Sequence, residues 1–245
     1  SNKTNLIGIN IFSKSIVINW ILFEIKLITR TTRGRKILIA VLMHQIAFFL
    51  NSFLITDGNI INTYLLPIFS ISSFSLIYGQ YSFSWHSSHF NFLLTTNHNL
   101  KTFFIGKFLF IFLVNIILLF IAFLICIKNT WLFLDLISFF LYNTGFLTCL
   151  MFWSGLFNRS KINLHSKGVL DSWVGVNSVF ILAGLIYSII PCSLVLIRYY
   201  FIQKISSQFI LSFIGLIFLI FFPIFLKAFL KAYNDRKYIL HESFK

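Results

Sequence analysis

The stretch FLFIFLVNIILLFIAFLICI, residues 108–127, decides the fold of this chain. Its 20 residues carry no charge, and Asn115 is its one strongly polar side chain. An α-helix rises 1.5 Å per residue, so about 20 apolar residues cross the roughly 30 Å hydrocarbon core of a bilayer. Comparable runs recur along the 245 residues, which are 58% hydrophobic and 11% charged, with a mean hydropathy of +0.88. Soluble domains carry roughly 25% charged residues, so this composition predicts an all-α integral membrane protein.

The apolar runs predict six transmembrane helices. They are expected at about residues 37–55, 61–78, 108–127, 136–157, 174–197 and 209–226. Turn-forming residues at 56–59 join the first two spans tightly, and longer polar segments follow the second and the fourth. The chain is thus divided into an N-terminal segment with an interfacial helix (1–36), a six-helix membrane domain (37–226) and a basic tail (227–245).

The basic residues predict the orientation in the membrane. Seventeen of the 20 Lys and Arg residues fall on the side that holds both termini and the two long polar segments, and only Lys128, Arg198 and Lys204 fall on the other. Because basic loops stay in the cytoplasm, we expect both termini there. The net charge of +14 then reflects cations beside anionic headgroups, and no nucleic-acid partner is expected.

Residues 11–36 precede the first span and have the pattern of an interfacial helix. Trp20, Ile21 and Ile25 fall mostly at helical spacing, and a basic cluster follows between Arg30 and Lys36. Such a pattern is typical of a helix that lies in the membrane interface before the chain turns inward. An ordinary cytoplasmic helix is the alternative.

The sequence contains no catalytic constellation. The six acidic residues sit outside the spans or at their ends, and the signatures of metalloproteases, serine hydrolases and nucleotide-binding loops are missing. His44 is the plausible intramembrane ionisable group, and we expect it to be structural. His86 and His89, three residues apart, lack Cys or carboxylate companions, so a metal site is not expected. The chain should need no cofactor of its own, and any energy from ATP must come through another chain.

Polar side chains inside the spans are candidates for a substrate pathway or for hydrogen bonds between helices. The pathway candidates are Asn51, Ser73, Asn115, Asn143, Thr144 and Thr148.

The connection between spans two and three is expected to hold a short helix at the membrane surface. Phe90, Leu93 and Leu94 fall on one helical face, and the polar residues 97–99 break the helix. Asn99 can cap a further helix that runs into span three.

These residues resemble the type-two ABC exporter permeases, the membrane-spanning subunits of ATP-driven exporters. In that family a short helix ends in a Leu-Leu-Thr run, and a Gly-Lys pair opens the third span; residues 93–96 and Gly106-Lys107 stand at those places. Tyr78-Gly79-Gln80-Tyr81 and Ser84-Trp85 resemble a permease group common in Bacteroidetes-type bacteria. The segment from Trp20 to Arg35 is similar to the family's elbow helix.

The resemblance implies a permease of the bacterial cytoplasmic membrane that exports a substrate. A separate ABC ATPase subunit would bind ATP and Mg, and a second permease subunit, identical or a sister chain, would complete the channel within the membrane lipid. The short surface helix would be the coupling helix that contacts the ATPase. The contact residues implied are Trp85, His86, His89, Phe90, Leu93, Leu94 and Lys101.

Two other classes of function remain open at the level of sequence. A non-transporting membrane scaffold or assembly factor would show the same apolar helices. An intramembrane enzyme would need His, acidic or Ser residues clustered at one depth, for which the sequence offers little support.

Overall fold

The computed structural model describes residues 16–54, 66–89, 100–125, 132–159, 164, 178–200 and 207–244. In this part of the chain the regular structure is helical throughout and no β-strand occurs, which confirms the all-α prediction. The α-helices are α1 (Ile16–Arg30), α2 (Thr32–Leu54), α3 (Leu66–Gly79), α4 (Leu100–Ile125), α5 (Leu132–Tyr142), α6 (Thr148–Gly155), α7 (Ser178–Tyr200), α8 (Ser207–Ile220) and α9 (Phe222–Phe244). A 3₁₀-helix covers Ser84–His89, and a π-helical segment, Asn143–Leu147, joins α5 to α6.

A sharp turn at Thr31 separates α1 from α2. The backbone N–H of Gly34 donates to the Thr31 hydroxyl over 3.1 Å, which makes Thr31 the N-cap of α2. A Cβ on residue 34 would lie 2.2 Å from the Ile28 carbonyl oxygen, so the turn requires glycine there. The basic cluster after Arg30, predicted as the end of the interfacial helix, therefore forms the first turns of α2.

Helix α3 occupies the centre of the bundle and packs against α2, α4, α5 and α6. It is buried on nearly every face and rich in serine, and such small side chains let neighbouring helices approach closely. Helices α5 and α8 form another extensive contact, while α1 lies against α4 and α2. Helix α9 packs on α4 and on the 3₁₀-helix.

Buried polar pairs link the apolar helices. Gln45 on α2 and Ser70 on α3 exchange two hydrogen bonds of 2.8 and 2.9 Å. Asn115 on α4 donates to Ser75 on α3 over 2.9 Å. On the other side of the bundle, Ser212 of α8 contacts Ser138 of α5 at 3.0 Å. Inside an apolar bundle such bonds satisfy groups that lipid could not, and they fix which helices pair. A fourth pair joins the same two helices, since the Gln208 side-chain amide of α8 donates to Asp135 of α5 over 2.7 Å.

The backbones of two helices touch where α8 crosses the π-helical segment. A Cβ on Gly145 would lie 2.2 Å from the carbonyl oxygen of Gly215, and a Cβ on Gly215 would lie 2.3 Å from the Leu141 oxygen. Both positions therefore require glycine. This crossing brings α8 against Tyr142 and Asn143, which in turn bond to Tyr187 of α7.

Apolar helices of membrane-spanning length are present, but fewer than six are shown. Among the described residues, Leu100–Leu124 and Phe133–Gly155 are long and apolar enough to cross a membrane. A third span results if Gln208–Ile220 and Phe222–Ser243, bent by 61° relative to each other, count as one. The described part of predicted span two is the 14-residue helix α3, and Ser178–Leu194 within α7 is also shorter than a full crossing.

A helix break falls inside the last predicted span. Helix α8 stops at Ile220 and α9 begins at Phe222, both within the span predicted for residues 209–226. Pro223 lies in the first turn of α9. Backbone N–H groups in a first turn have no acceptor within the helix, so the missing N–H of proline costs nothing there, and its fixed φ suits a helix start. The predicted basic tail is consequently part of a 23-residue helix whose apolar side is buried through Leu226, Phe229 and Tyr233.

Candidate functional site

Four polar side chains from separate elements meet inside the protein at one end of the bundle. They are Glu24 of α1, Tyr78 of α3, His86 of the 3₁₀-helix and Lys107 of α4, which we call the Glu24 cluster. Each is at most 1% exposed. The cluster therefore joins segments that are up to 83 residues apart, from Glu24 to Lys107, without contact with solvent.

The Glu24 carboxylate is the acceptor at the centre of this cluster. Lys107 Nζ lies 2.9 Å and His86 Nε2 lies 3.0 Å from Glu24 Oε1. The Tyr78 hydroxyl donates to the second carboxylate oxygen, and Lys107 Nζ also donates to the Tyr78 oxygen over 2.9 Å. Three donors on three elements thus share one acid.

The close approach of α1 to α4 depends on Gly106. A Cβ at this position would lie 2.6 Å from Trp20 Cβ, so only glycine lets the two helices meet here. Trp20 packs edge-on against Phe103 with ring centroids 4.9 Å apart. Glu24 follows Trp20 by four residues, and Lys107 follows Phe103 by four, so the ion pair lies one turn along from the aromatic contact.

Aromatic rings enclose the Glu24 cluster. Phe23 stacks on His86 at 5.5 Å, and Phe103 meets the same imidazole edge-on at 5.2 Å. Trp85 stacks on Tyr78 at 5.6 Å. These rings exclude water, which strengthens each electrostatic interaction but also raises the cost of an unpaired charge.

Glu24 lies on α1, outside the candidate spans, and is held as a carboxylate. Burial by itself raises the pKa of this side chain because it disfavours the charged form. The charges of Lys107 and His86 and their hydrogen bonds outweigh burial and hold the Glu24 pKa at about 2, below its ordinary value of 4.5. The acid therefore stays ionised at neutral pH and attracts its two basic neighbours.

The 3₁₀-helix that carries His86 is fixed by further contacts. Phe83, just before it, stacks on Tyr233 of α9 at 5.2 Å and meets Phe104 of α4 at 5.5 Å. Asn158, after α6, donates to the Gln80 carbonyl over 3.1 Å. The chain between α3 and the 3₁₀-helix is thus tied to α4, α6 and α9 as well as to Glu24.

The cluster has the geometry of a structural link between elements. Its acid and bases are paired with one another, and aromatic rings of the described residues pack around them. His86 faces one carboxylate, and among the described residues no group of three or more His, Cys, Asp or Glu side chains could hold a metal ion.

A model of the DUF5687 family matches residues 16–245. The chain belongs to the DUF5687 family. This is a family of unknown function. Nothing among the curated proteins or among the solved structures matches the chain. The part of the chain shared with DUF5687 begins at the first residue of α1 and includes all four members of the Glu24 cluster.

In this DUF5687 chain, some of the residues predicted to contact an ATPase are buried and one is exposed. Trp85 and His86 are 0% and 1% exposed and pack against Tyr78 and Glu24, so their side chains face the interior of this chain. Lys101 is exposed in the first turn of α4. The described residues do not include Phe90, Leu93 and Leu94, nor the side chain of His89.

The predicted pathway residues do not form one group. Asn143, Thr144 and Thr148 lie together in and after the π-helical segment, where the Thr148 hydroxyl donates to the Asn143 carbonyl over 3.1 Å. Asn115 pairs with Ser75 on α3, and Ser73 donates to the Ser70 carbonyl of its own helix over 2.9 Å. The side chain of Asn51 is not among those described.

The position of Glu24 relative to the spans does not distinguish it from the other five acids, so the pattern of spans does not predict its central place. One signal was available in the sequence. Glu24 lies four residues after Trp20 and three before Leu27, on the side of α1 that the structure buries. A lone acid on the apolar side of an amphipathic helix needs a buried cation, and Lys107 was a candidate.

Proposed function

We propose that this chain is the membrane-spanning subunit of an ATP-driven transporter of the type-two exporter class, with six spans and both termini in the cytoplasm. A separate ATPase would supply ATP and Mg chemistry. A second copy or sister chain would complete the translocation pathway. The chain itself would move substrate by a change of conformation and carry out no covalent step.

The observation that carries this proposal is the convergence of the motif residues. Tyr78 and Lys107 bind the Glu24 carboxylate of α1, the helix that resembles the elbow, and Gly106 admits Trp20 of the same helix. Gly79 is equally constrained, because a Cβ there would lie 2.6 Å from Met151 Cβ. The residues that suggested an elbow, a coupling connection and a third span are thus parts of one packed unit.

This unit suggests how a motor could act on the bundle. A partner ATPase that closes around ATP would pull the connection between α3 and α4, which carries His86. His86 and Lys107 both bind the Glu24 carboxylate. A movement of this connection would therefore carry α1 and the start of α4 with it. Population of the outward-opening state would then depend on the nucleotide.

Co-purification tests the proposal directly. The full chain, expressed in its native host with an affinity tag and extracted in mild detergent, is expected to retain an ABC ATPase whose hydrolysis rate changes when the chain is removed. An interface variant, Leu93→Asp, should lower the ATPase response without a change in the thermal midpoint of the bundle. Leu93→Met is the matched control, since it keeps an apolar side chain of similar size. Persistent absence of an ATPase would contradict the proposal and favour a scaffold or assembly role.

A further inference from the structure

The Glu24 cluster is the place where three elements are joined by charge in addition to apolar packing. Aromatic contacts alone already connect these elements, since Trp20 meets Phe103 and Phe23 meets His86. An apolar side chain at position 24 would complete that packing without any cost of desolvation. A buried ion pair in the same place adds little net stability but penalises every misaligned arrangement.

A misaligned arrangement would be costly because the charges are enclosed. Lys107 is fully buried, and its ammonium group contacts the Glu24 carboxylate, the Tyr78 hydroxyl and two aromatic ring faces. A relative movement of α1 and α4 by a few ångströms would leave both charges unpaired in apolar surroundings. Apolar side chains can slide past one another at much lower cost, because dispersion contacts are not directional.

We propose that Glu24 is a positioning residue that latches α1, the 3₁₀-helix and the first turns of α4 into one mechanical unit. Under the function proposed above, on which the motor role of this latch rests, the unit transmits the movement of the ATPase to the membrane helices. The latch acts through Lys107 and His86 and touches no substrate.

Three variants separate this role from simple packing. Glu24→Gln keeps the shape of the side chain but leaves Lys107 without its counter-charge, and it is expected to lower the folding equilibrium constant at least tenfold. Glu24→Gln combined with Lys107→Met, called the doubly neutral variant, removes both charges of the Glu24–Lys107 pair and should recover most of that stability. Glu24→Asp keeps the charge on a shorter side chain and provides a folded reference if the other variants fold poorly. The control is Ser138→Ala with Ser212→Ala, a partly buried polar pair between α5 and α8.

Hydrogen exchange of the full chain in nanodiscs is the measurement, because the amides of elements that open as one unit share one opening free energy and so one maximal protection factor. In the wild type, peptides covering residues 16–30, 79–89 and 100–107 are expected to exchange together. In the doubly neutral variant the maximal protection factors of these peptides should differ at least tenfold, although the thermal midpoint stays near that of the wild type. Glu24→Asp and the Ser138/Ser212 control should keep joint exchange.

The outcomes distinguish the latch from the transport function. Joint exchange in the doubly neutral variant would overturn the latch, because apolar packing would then suffice. Separate exchange in that variant supports it, whether or not an ATPase binds. With an associated ATPase present, the doubly neutral variant should also bind the ATPase normally but lose its effect on hydrolysis. Absence of any ATPase from the wild type would contradict the transport function and leave the exchange result to decide the latch.

Discussion

At the scale of single residues, Glu24 shows how a buried acid is kept charged. It is surrounded by aromatic rings, yet two bases and a phenol supply the interactions that water would otherwise provide. Removal of one partner is costly, about 3–5 kcal/mol for buried pairs in general, because the remaining charge is stranded. The Glu24 cluster is therefore a sensitive point of this fold.

The depressed pKa of Glu24 predicts a loss of stability in acid. A folded-state pKa of about 2 against an ordinary 4.5 means that the stabilisation is present above about pH 4.5 and is lost as the pH falls towards 2. Thermal unfolding of the wild type in detergent should show this decline between those pH values. The Glu24→Gln variant, less stable at neutral pH, should show a shallower dependence in the same window. Parallel curves for the two proteins would contradict the assignment.

The close contact at Gly106 gives a second prediction at this scale. Gly106→Ala places a Cβ 2.6 Å from Trp20 Cβ, so α1 must shift away from α4, and we expect a loss of about 1–3 kcal/mol of stability. Gly184→Ala on α7 is the matched control, since nothing lies within 4 Å of its Cβ position. Equal thermal midpoints for the two variants would show that α1 does not need this contact.

At the scale of elements, the turn between α1 and α2 directs α1 so that Glu24 faces its three partners in the cluster. Thr31 caps α2, and Gly34 admits the last turn of α1. Arg33 adds a backbone hydrogen bond to the Leu164 carbonyl over 3.1 Å, which also accepts from the Thr32 hydroxyl. The direction of α1 is thus set by local polar contacts as well as by its packing on α4.

Loss of the cap at Thr31 should weaken this turn. Thr31→Val keeps the shape of the side chain but removes the oxygen that accepts from Gly34, and we expect a cost of about 1 kcal/mol. Hydrogen exchange should rise first at residues 32–35. Thr29→Val is the control, because Thr29 is exposed and its hydroxyl bonds within its own helix to the Ile25 carbonyl. If Thr29→Val lowered the stability as much as Thr31→Val, the result would argue against the cap.

At the scale of the whole molecule, the described residues form two apolar cores. One gathers α1, the start of α2, the end of α3, the 3₁₀-helix and α9 around the Glu24 cluster, and the other gathers α5 to α8 around the π-helical segment. Helices α2, α3, α4 and α6 contribute residues to both cores. A movement imposed at the Glu24 cluster would therefore reach the second core through these shared helices.

Side-specific labelling checks the proposed orientation of this assembly. On a cysteine-free background, Lys101→Cys should react with a membrane-impermeant maleimide only after the cells are permeabilised. Lys204→Cys should react in intact cells, because the distribution of basic residues places it on the opposite side. Reaction of Lys101→Cys from outside would contradict the cytoplasmic position of the connection between α3 and α4, and with it the transport proposal.

The sequence by itself determined the all-helical class and the positions of most apolar helices, because an uncharged run such as residues 108–127 has few ways to satisfy its backbone in lipid. It also indicated Gly106 and Lys107 as a motif, but it did not explain why a glycine and a lysine are needed there. Only the tertiary structure decided that Glu24 is buried and shared by Tyr78, His86 and Lys107. Contacts between residues 24, 86 and 107 depend on how α1 folds back at Thr31, and hydropathy measured along the chain carries no information about such long-range electrostatic pairing.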